Sequence, residues 1–333
     1  MTASVSAADI AYRQTWLAVV AMQQSLRPKS LQREVNRKIE KVSALLGETP
    51  SSLPRLRKYW PQASGSRIDY FTYDDPAERD RFEHKLRELK RVDRHGVFVS
   101  EREELGGTGH RLSLGLTNLE TLKHYECLIA MDLGGALARL RRMPQRHVVI
   151  DASPGWGGLS YALKTLFPNT TIIICDEPHL FLFSATYLNT VFPASRSTFI
   201  TDRSGLLDNW EDHDFVFVPW HLHQTIKPER LDLVVSSSGS CHFSSEQMRL
   251  SAELAARYHA PTIYWLQHFN QTTSAVELYY WLHEIPVLLV PYTELLDGRR
   301  QRVRPPPPKI KDQIAERRQE IGYRHLIGWK HYG

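Results

Sequence analysis

The chain has 333 residues, 42% of them apolar and 24% charged, which is enough to bury the core of a large domain and excludes a disordered protein. Its net charge of +5 is modest, and the basic excess lies from Arg55 to Arg94 and in "GRRQRVRPPPPK"; no recognised RNA- or DNA-binding module stands beside either run, so both read as solvated faces. Cys127, Cys175 and Cys241 are odd in number and far apart, which excludes a disulfide framework or a CxxC metal pair and fits reduced thiols in a cytoplasm.

Near the start, "TWLAVVAM" is too short to span a bilayer and lacks the basic leader and cleavage site of a signal peptide, so an unexported protein without a membrane partner is expected. Residues 8–47 carry apolar side chains at helical spacing, first Ile10, Trp16, Val19 and Val20, then Leu31, Val35, Ile39, Val42 and Leu46. Two amphipathic helices broken near Pro28 are predicted. The turn-rich "SSLPRLRKYWPQASGSRIDYF" then leads to a charged helix from Pro76 to Arg94. A hairpin-like piece follows around "GVFVS", and after it the glycine-rich "LGGTGHRLSLG". Gly106, Gly107 and Gly109 lack the Lys-Ser or Lys-Thr pair of a phosphate loop, so a mobile turn is the reading there.

A helix from Asn118 to Arg142 leads into an alternation of short apolar runs and helical patterns, the signature of a parallel, doubly wound sheet. Strands are placed near 147–151, 171–176, 214–218, 231–236, 262–267 and 286–290. The stretch from Asp176 to Asp214 is long for one crossover, so a helix plus an irregular excursion through "STFITDRSG" is expected. Beyond Gly298 come four prolines, Pro305 to Pro308, and "IKDQIAERRQEIGYRHLIGW" reads as a last helix docking on the body.

The most telling stretch is "VVIDASPGWGGLSYAL", Val148 to Leu163, where an apolar run ends on an acid and breaks into a glycine-rich turn before a helix. Glycines let the backbone approach a ligand, and a helix start presents unpaired N–H groups toward it. Further on, "TIIICDEP" ends a second run on Asp176, where a Rossmann-type sheet holds a ribose by its hydroxyls. The dinucleotide pattern GxGxxG fails, because its first glycine falls on Ser153. The pattern acid-x-Gly-x-Gly-x-Gly fits Asp151, Gly155 and Gly157, with Ser153 in the first glycine's place.

This stretch resembles motif I of the class I S-adenosylmethionine-dependent methyltransferases. "DEPHLFLFSATYLNTVFP", "FVFVPW", "LDLVVSSSGSCHFSSEQM" and "IYWLQHFN" follow in an order similar to the signatures of a sugar O-methyltransferase family, over about the second half of the chain. The resemblance implies an α/β Rossmann-like methyltransferase sheet with a helical N-terminal region. It divides the chain into residues 1–117 for the acceptor pocket or oligomerisation, 118–300 for the catalytic domain, and 301–333 for a proline-rich linker and docking helix. It implies S-adenosylmethionine as cofactor with no required metal, and a polar small-molecule acceptor, a sugar or glycosylated metabolite. No nucleic acid or membrane partner is expected, and a homo-oligomer is allowed.

Carried onto this sequence, Asp151 orders the glycine loop and meets the cofactor's amino-acid end, with a helix N-cap as its structural alternative. Ser153, Gly155 and Gly157 give backbone approach. Asp176 takes the ribose hydroxyls, with Glu177 as fallback; the alternative for both is an exposed turn before Pro178. Trp220 is a candidate to stack on adenine or to fill the core, and Ser237 lies in a cofactor-side loop.

Methyl transfer to a hydroxyl needs alignment and a base. His242 is the first choice, placed just past the fourth strand; Glu246 orients it or serves as base, or completes a capping box with Ser244. His268 is the third candidate, against the role of a core histidine. His221 and His223 form an HxH pair that on a strand would face one way, a weak metal signal. Tyr59, Trp60, Tyr70, Phe71 and Tyr73 are candidates to stack on sugar rings or to fill a core. N- or C-methylation, a non-catalytic binding protein on the same fold, and RNA methylation remain the competing readings.

Overall fold

The computed structural model describes residues 6–26, 29–46, 50–60, 63, 73–202, 209–237, 245–268, 274–285 and 323–330. Ser6 and Asp9 form a capping box at the start of α1 (Ala7–Ser25), and α2 (Lys29–Leu46) follows past Pro28. Val35, Ile39, Val42 and Leu46 of α2 are all buried, as the periodicity predicts. A 3₁₀ segment, Pro50–Tyr59, occupies the first part of the turn-rich stretch. Asp75 caps α3 (Pro76–Val92), with proline in the first turn, where its missing N–H costs nothing.

The hairpin falls a little later than expected: β1 (His110–Leu112) lies inside the glycine-rich stretch, β2 (Gly115–Thr117) begins at its last residue, and Gly96–Ser100 is not a strand. The glycines serve packing. A Cβ on Gly107 would meet the Arg102 carbonyl oxygen at 1.7 Å, and one on Gly109 the Thr117 carbonyl oxygen at 2.6 Å. The helix predicted from Asn118 to Arg142 is two, α4 (Leu119–Leu133) and α5 (Ala136–Arg142). Gly135 at φ +78° breaks it, and a side chain on Gly134 would collide with Ile327.

The chain divides into two compact units, the first made of Met1–Tyr70, Arg102–Gly107 and Pro144–Asp232 and the second of Phe71–Glu101, Thr108–Met143 and Leu233–Gly333. In the first, β3 (His147–Asp151), α6 (Gly158–Leu166), β4 (Thr170–Asp176), α7 (Phe181–Val191), β5 (Ser197–Phe199) and β6 (Phe215–Pro219) alternate along the chain. The strands run in the order β5-β6-β4-β3, all parallel, with Ile150 opposite Ile173 and Ile174 opposite Phe217. Every residue of β3, β4 and β6 is buried, which is why each reads as an unbroken apolar run rather than an alternating one. The expected excursion after α7 contains the edge strand β5, and α1 packs along α7.

In the second unit β7 (Leu233–Ser236), α8 (Ser245–Arg257), β8 (Thr262–His268), α9 (Ser274–Glu277), β9 (Tyr280–Ile285) and β10 (Tyr323–Lys330) give the order β7-β8-β10-β9. β7 and β8 are parallel, and β10 is antiparallel to both β8 and β9. The final helix expected through "YRHLIGW" is therefore corrected: from Tyr323 onward this stretch is a strand. It is a central one, in which Gly328 lies so close to Ile263 that a Cβ would sit 2.5 Å from Cγ1. The strand placed at 286–290 and the prolines 305–308 lie outside the described residues. Parallel strands alternating with helices in both units, with helices ahead of them at the N-terminus, make the α/β, Rossmann-like fold the sequence indicated. Among the described residues no helix is long and apolar enough to cross a membrane.

Candidate functional site

The first unit gathers its informative side chains at the carboxyl ends of β3, β4 and β6, where ligands of open α/β sheets bind. β3 ends on Asp151, which is fully buried. One carboxylate oxygen accepts from the Ser160 hydroxyl of α6 at 2.7 Å, and the other from the Ser153 backbone N–H at 3.2 Å. Asp151 thus ties strand, turn and helix together, and Ser160 is a partner that the sequence did not single out.

The turn itself is tight. The Gly157 N–H donates to the Pro154 carbonyl at 2.9 Å, and Gly155 and Gly157 adopt φ of +60° and +97°. These are left-handed conformations that a side chain strains, so the glycines serve backbone geometry first. Ser153 accordingly needs no glycine, because no positive φ falls there. Trp156 turns into the core: its indole is buried, stands edge-on to Tyr187 at 4.9 Å, and lies under the guanidinium of Arg57 at 3.6 Å. Three residues after Arg57, the Trp60 indole would lie 3.6 Å from a Cβ on Gly155. Trp60 is half-buried and rests edge-on against Phe183. A ligand against Gly155 shares the turn with that ring.

At the end of β4 the Asp176 carboxyl is buried and accepts the Glu177 N–H at 2.8 Å. Burial holds its pKa well above the usual carboxylate range; the N–H bond opposes this, and the charges of Glu177 and Asp151 reinforce it. Glu177 is engaged by Lys38 of α2, Nζ to Oε2 at 2.6 Å. Desolvation pulls the Lys38 pKa down, yet the hydrogen bonds and charges of Glu177 and Glu34 raise it overall. His179 is buried with its Nδ1 3.4 Å from Glu177, and burial depresses its pKa to about 4. It is a neutral imidazole at physiological pH.

β6 ends on Pro219, and a 3₁₀ turn, Trp220–Thr225, follows. Trp220 is half-buried there. His221 and His223 therefore do not share a strand face as the HxH spacing supposed. His221 Nε2 meets the Ser25 hydroxyl of α1 at 3.1 Å, and His223 Nδ1 meets the Trp220 carbonyl at 2.7 Å. Among the described residues no group of three or more His, Cys, Asp or Glu side chains is placed to hold a metal ion.

The N-terminal segment thus reaches all three strand ends, with Trp60 at the β3 turn, Lys38 at β4 and Ser25 beyond β6. In the second unit Ser237 is buried immediately after β7, Glu246 lies in the first turn of α8, and His268 is the last residue of β8. His242 lies outside the described residues.

No protein-family model matches the chain, and no curated protein matches it. Among solved structures it is similar to Haemonchus contortus phosphoethanolamine N-methyltransferase 2 in complex with S-adenosyl-L-methionine, at 8% identity and a TM-score of 0.36, over 63% of this chain and 57% of that one. It is also similar to a TehB-like SAM-dependent methyltransferase from Corynebacterium glutamicum, at 14% identity and a TM-score of 0.34, over 60% and 92% of the two chains. A third is a mutant of MtNAS in complex with S-adenosylmethionine, at 10% identity and a TM-score of 0.35, over 96% and 98%. The chain spans only 52% of the first Haemonchus contortus structure it matches. Scores this low leave the functional reading to the chain's own residues.

Proposed function

We propose that the protein is an S-adenosylmethionine-dependent methyltransferase that methylates a hydroxyl of a polar small molecule, a sugar or glycosylated metabolite. The observation that carries this reading is the pairing at two adjacent parallel strand ends. Buried Asp151 organises a turn with two left-handed glycines at the start of α6, and a buried acid, Asp176, stands at the tip of β4. A nucleoside has a diol for the second acid, and its remaining polar groups match backbone N–H donors of the turn.

In this mechanism Asp176 accepts both ribose hydroxyls, with Glu177 as alternate acceptor. Trp220 offers its ring to the adenine, and Ser153, Gly155 and Gly157 lie along the cofactor's amino-acid end. Ser237 contributes from the loop after β7. S-adenosylmethionine would supply a methyl group activated for in-line displacement, and a base would remove the acceptor proton, a role given to His242, with Glu246 orienting it and His268 next in line. A positioned base contributes typically about 10²–10⁴-fold.

Titration calorimetry with S-adenosylmethionine and S-adenosylhomocysteine tests the first half, and no heat at millimolar concentrations would refute it. His242→Ala is expected to lower turnover at least about tenfold while leaving cofactor affinity nearly intact. Unchanged turnover would remove His242 from the mechanism.

A further inference from the structure

α2 carries its charges in a pattern that the cofactor reading does not absorb. Arg33 and Arg37 are one helical turn apart, as are Glu34 and Lys38, so the four form one strip of the helix surface. These side chains border an open surface hollow of about 570 Å³. The two sorts of cation in its wall differ in what they already touch. Lys38 is neutralised by Glu34 at 3.3 Å and by Glu177 at 2.6 Å. Arg33 and Arg37 have no carboxylate partner among the described residues, and both are exposed.

Two guanidiniums on one strip, roughly 6 Å apart at their Cβ atoms, suit an anion with several oxygens in two groups. Each planar fork can take two phosphate oxygens at once, which a lysine ammonium cannot. A carboxylate would use one fork only. Lys38 joins this wall to Glu177, so the hollow abuts the end of β4.

We propose that this open hollow on α2 is an anion subsite that holds the phosphoryl or diphosphoryl group of the acceptor, making the substrate a phosphorylated or nucleotide-linked sugar rather than a neutral one. The word acceptor rests on the methyltransferase reading; the anion site itself stands on α2.

Calorimetric titration of the full chain with pyrophosphate, a sugar phosphate and a nucleoside diphosphate at physiological salt tests it. The wild type is expected to bind pyrophosphate, and Arg33→Gln with Arg37→Gln to bind it at least about tenfold more weakly. Both arginines are exposed and glutamine is a comparable helix former, so the fold is expected to persist, which circular dichroism checks. Arg33→Lys with Arg37→Lys keeps charge and loses the fork, and its affinity should fall between. Tighter binding of the sugar phosphate than of the nucleoside diphosphate would name the simpler of the two sources.

S-adenosylhomocysteine titrated into the same variants should bind as in the wild type. Loss of that binding in the wild type, with pyrophosphate binding intact, would sink the methyltransferase and keep the anion site. Pyrophosphate binding equal in wild type and glutamine variant would overturn the proposal. So would single-stranded RNA that displaces pyrophosphate with a steep salt dependence, which would assign the strip to a nucleic acid.

Discussion

Asp176 joins two properties that pull against each other. Burial keeps its folded pKa above the ordinary value, so the folded chain holds this proton more tightly than the unfolded chain does. Between the ordinary and the raised value folding therefore takes up a proton, and stability falls as pH rises through that window; above it the full cost remains. A ribose diol reverses the preference, because two O–H donors favour the ionised carboxylate. Cofactor binding should then release a proton from Asp176, and affinity should rise with pH until the free protein has lost that proton. Asp176→Asn is expected to melt at a higher temperature than wild type at pH about 8 and equally near pH about 3, while binding S-adenosylhomocysteine at least about tenfold more weakly. Thermal melts paired with calorimetry decide it, and an unchanged dissociation constant would refute the ribose assignment. Asp151 is not expected to show the same gain. Its carboxylate holds Ser160 and the Ser153 N–H, so an amide there loses an acceptor that buried donors need.

At the scale of elements, the glycine turn lies beside Trp60 of the N-terminal segment, and how that ring bears on the proposed cofactor site can be tested. Trp60 either walls the cofactor crevice or fills it. The wall is expected, because the ring lies beside Gly155 at ordinary contact distance and is held edge-on by Phe183, while Trp156, the turn's own indole, is turned into the core. Trp60→Ala should then weaken S-adenosylhomocysteine binding by about threefold to tenfold through lost stacking and packing. Tighter binding would mean that the indole competes with the ligand. This contact was not legible in the sequence, where Trp60 was one aromatic among several, and neither was Lys38 on Glu177; both join segments more than ninety residues apart. What was legible depended on burial. β3, β4, β6, β7 and β8 are covered on both faces and show as apolar runs, and the turn showed because its geometry demands glycine at 155 and 157. β10 was hidden because its packing requires Gly328 and admits His325, residues that weaken a strand signal. The HxH pair carries no shared strand face because Pro219, with no N–H to give, ends the ladder before His221.

At the scale of the whole molecule, two buried imidazoles among the described residues, one in each unit, lend the fold acid sensitivity above the usual carboxylate range. His179 lies just beyond β4, and His325 sits in β10 with its Nδ1 2.8 Å from the Tyr264 hydroxyl. Burial depresses both to about 4. A histidine that is harder to protonate when folded contributes stability that is complete above its ordinary pKa and is lost as pH falls through the window toward the depressed value. The window here runs from 6.5 down to about 4. Each imidazole accounts for at most about 3 kcal/mol across it. Exposed carboxylates are nearly silent between pH about 6.5 and 5, so in the upper part of the window the two histidines add a loss of stability toward acid, against which the raised pKa of Asp176 works in the opposite direction. His179→Gln and His325→Gln, with an amide oxygen able to accept from Tyr264, are each expected to make that part of a plot of unfolding free energy against pH less steep on the acid side, and the double variant more so than either. Urea unfolding at closely spaced pH values measures it. A double variant as acid-sensitive as the wild type between these limits would move the origin of the slope away from both residues.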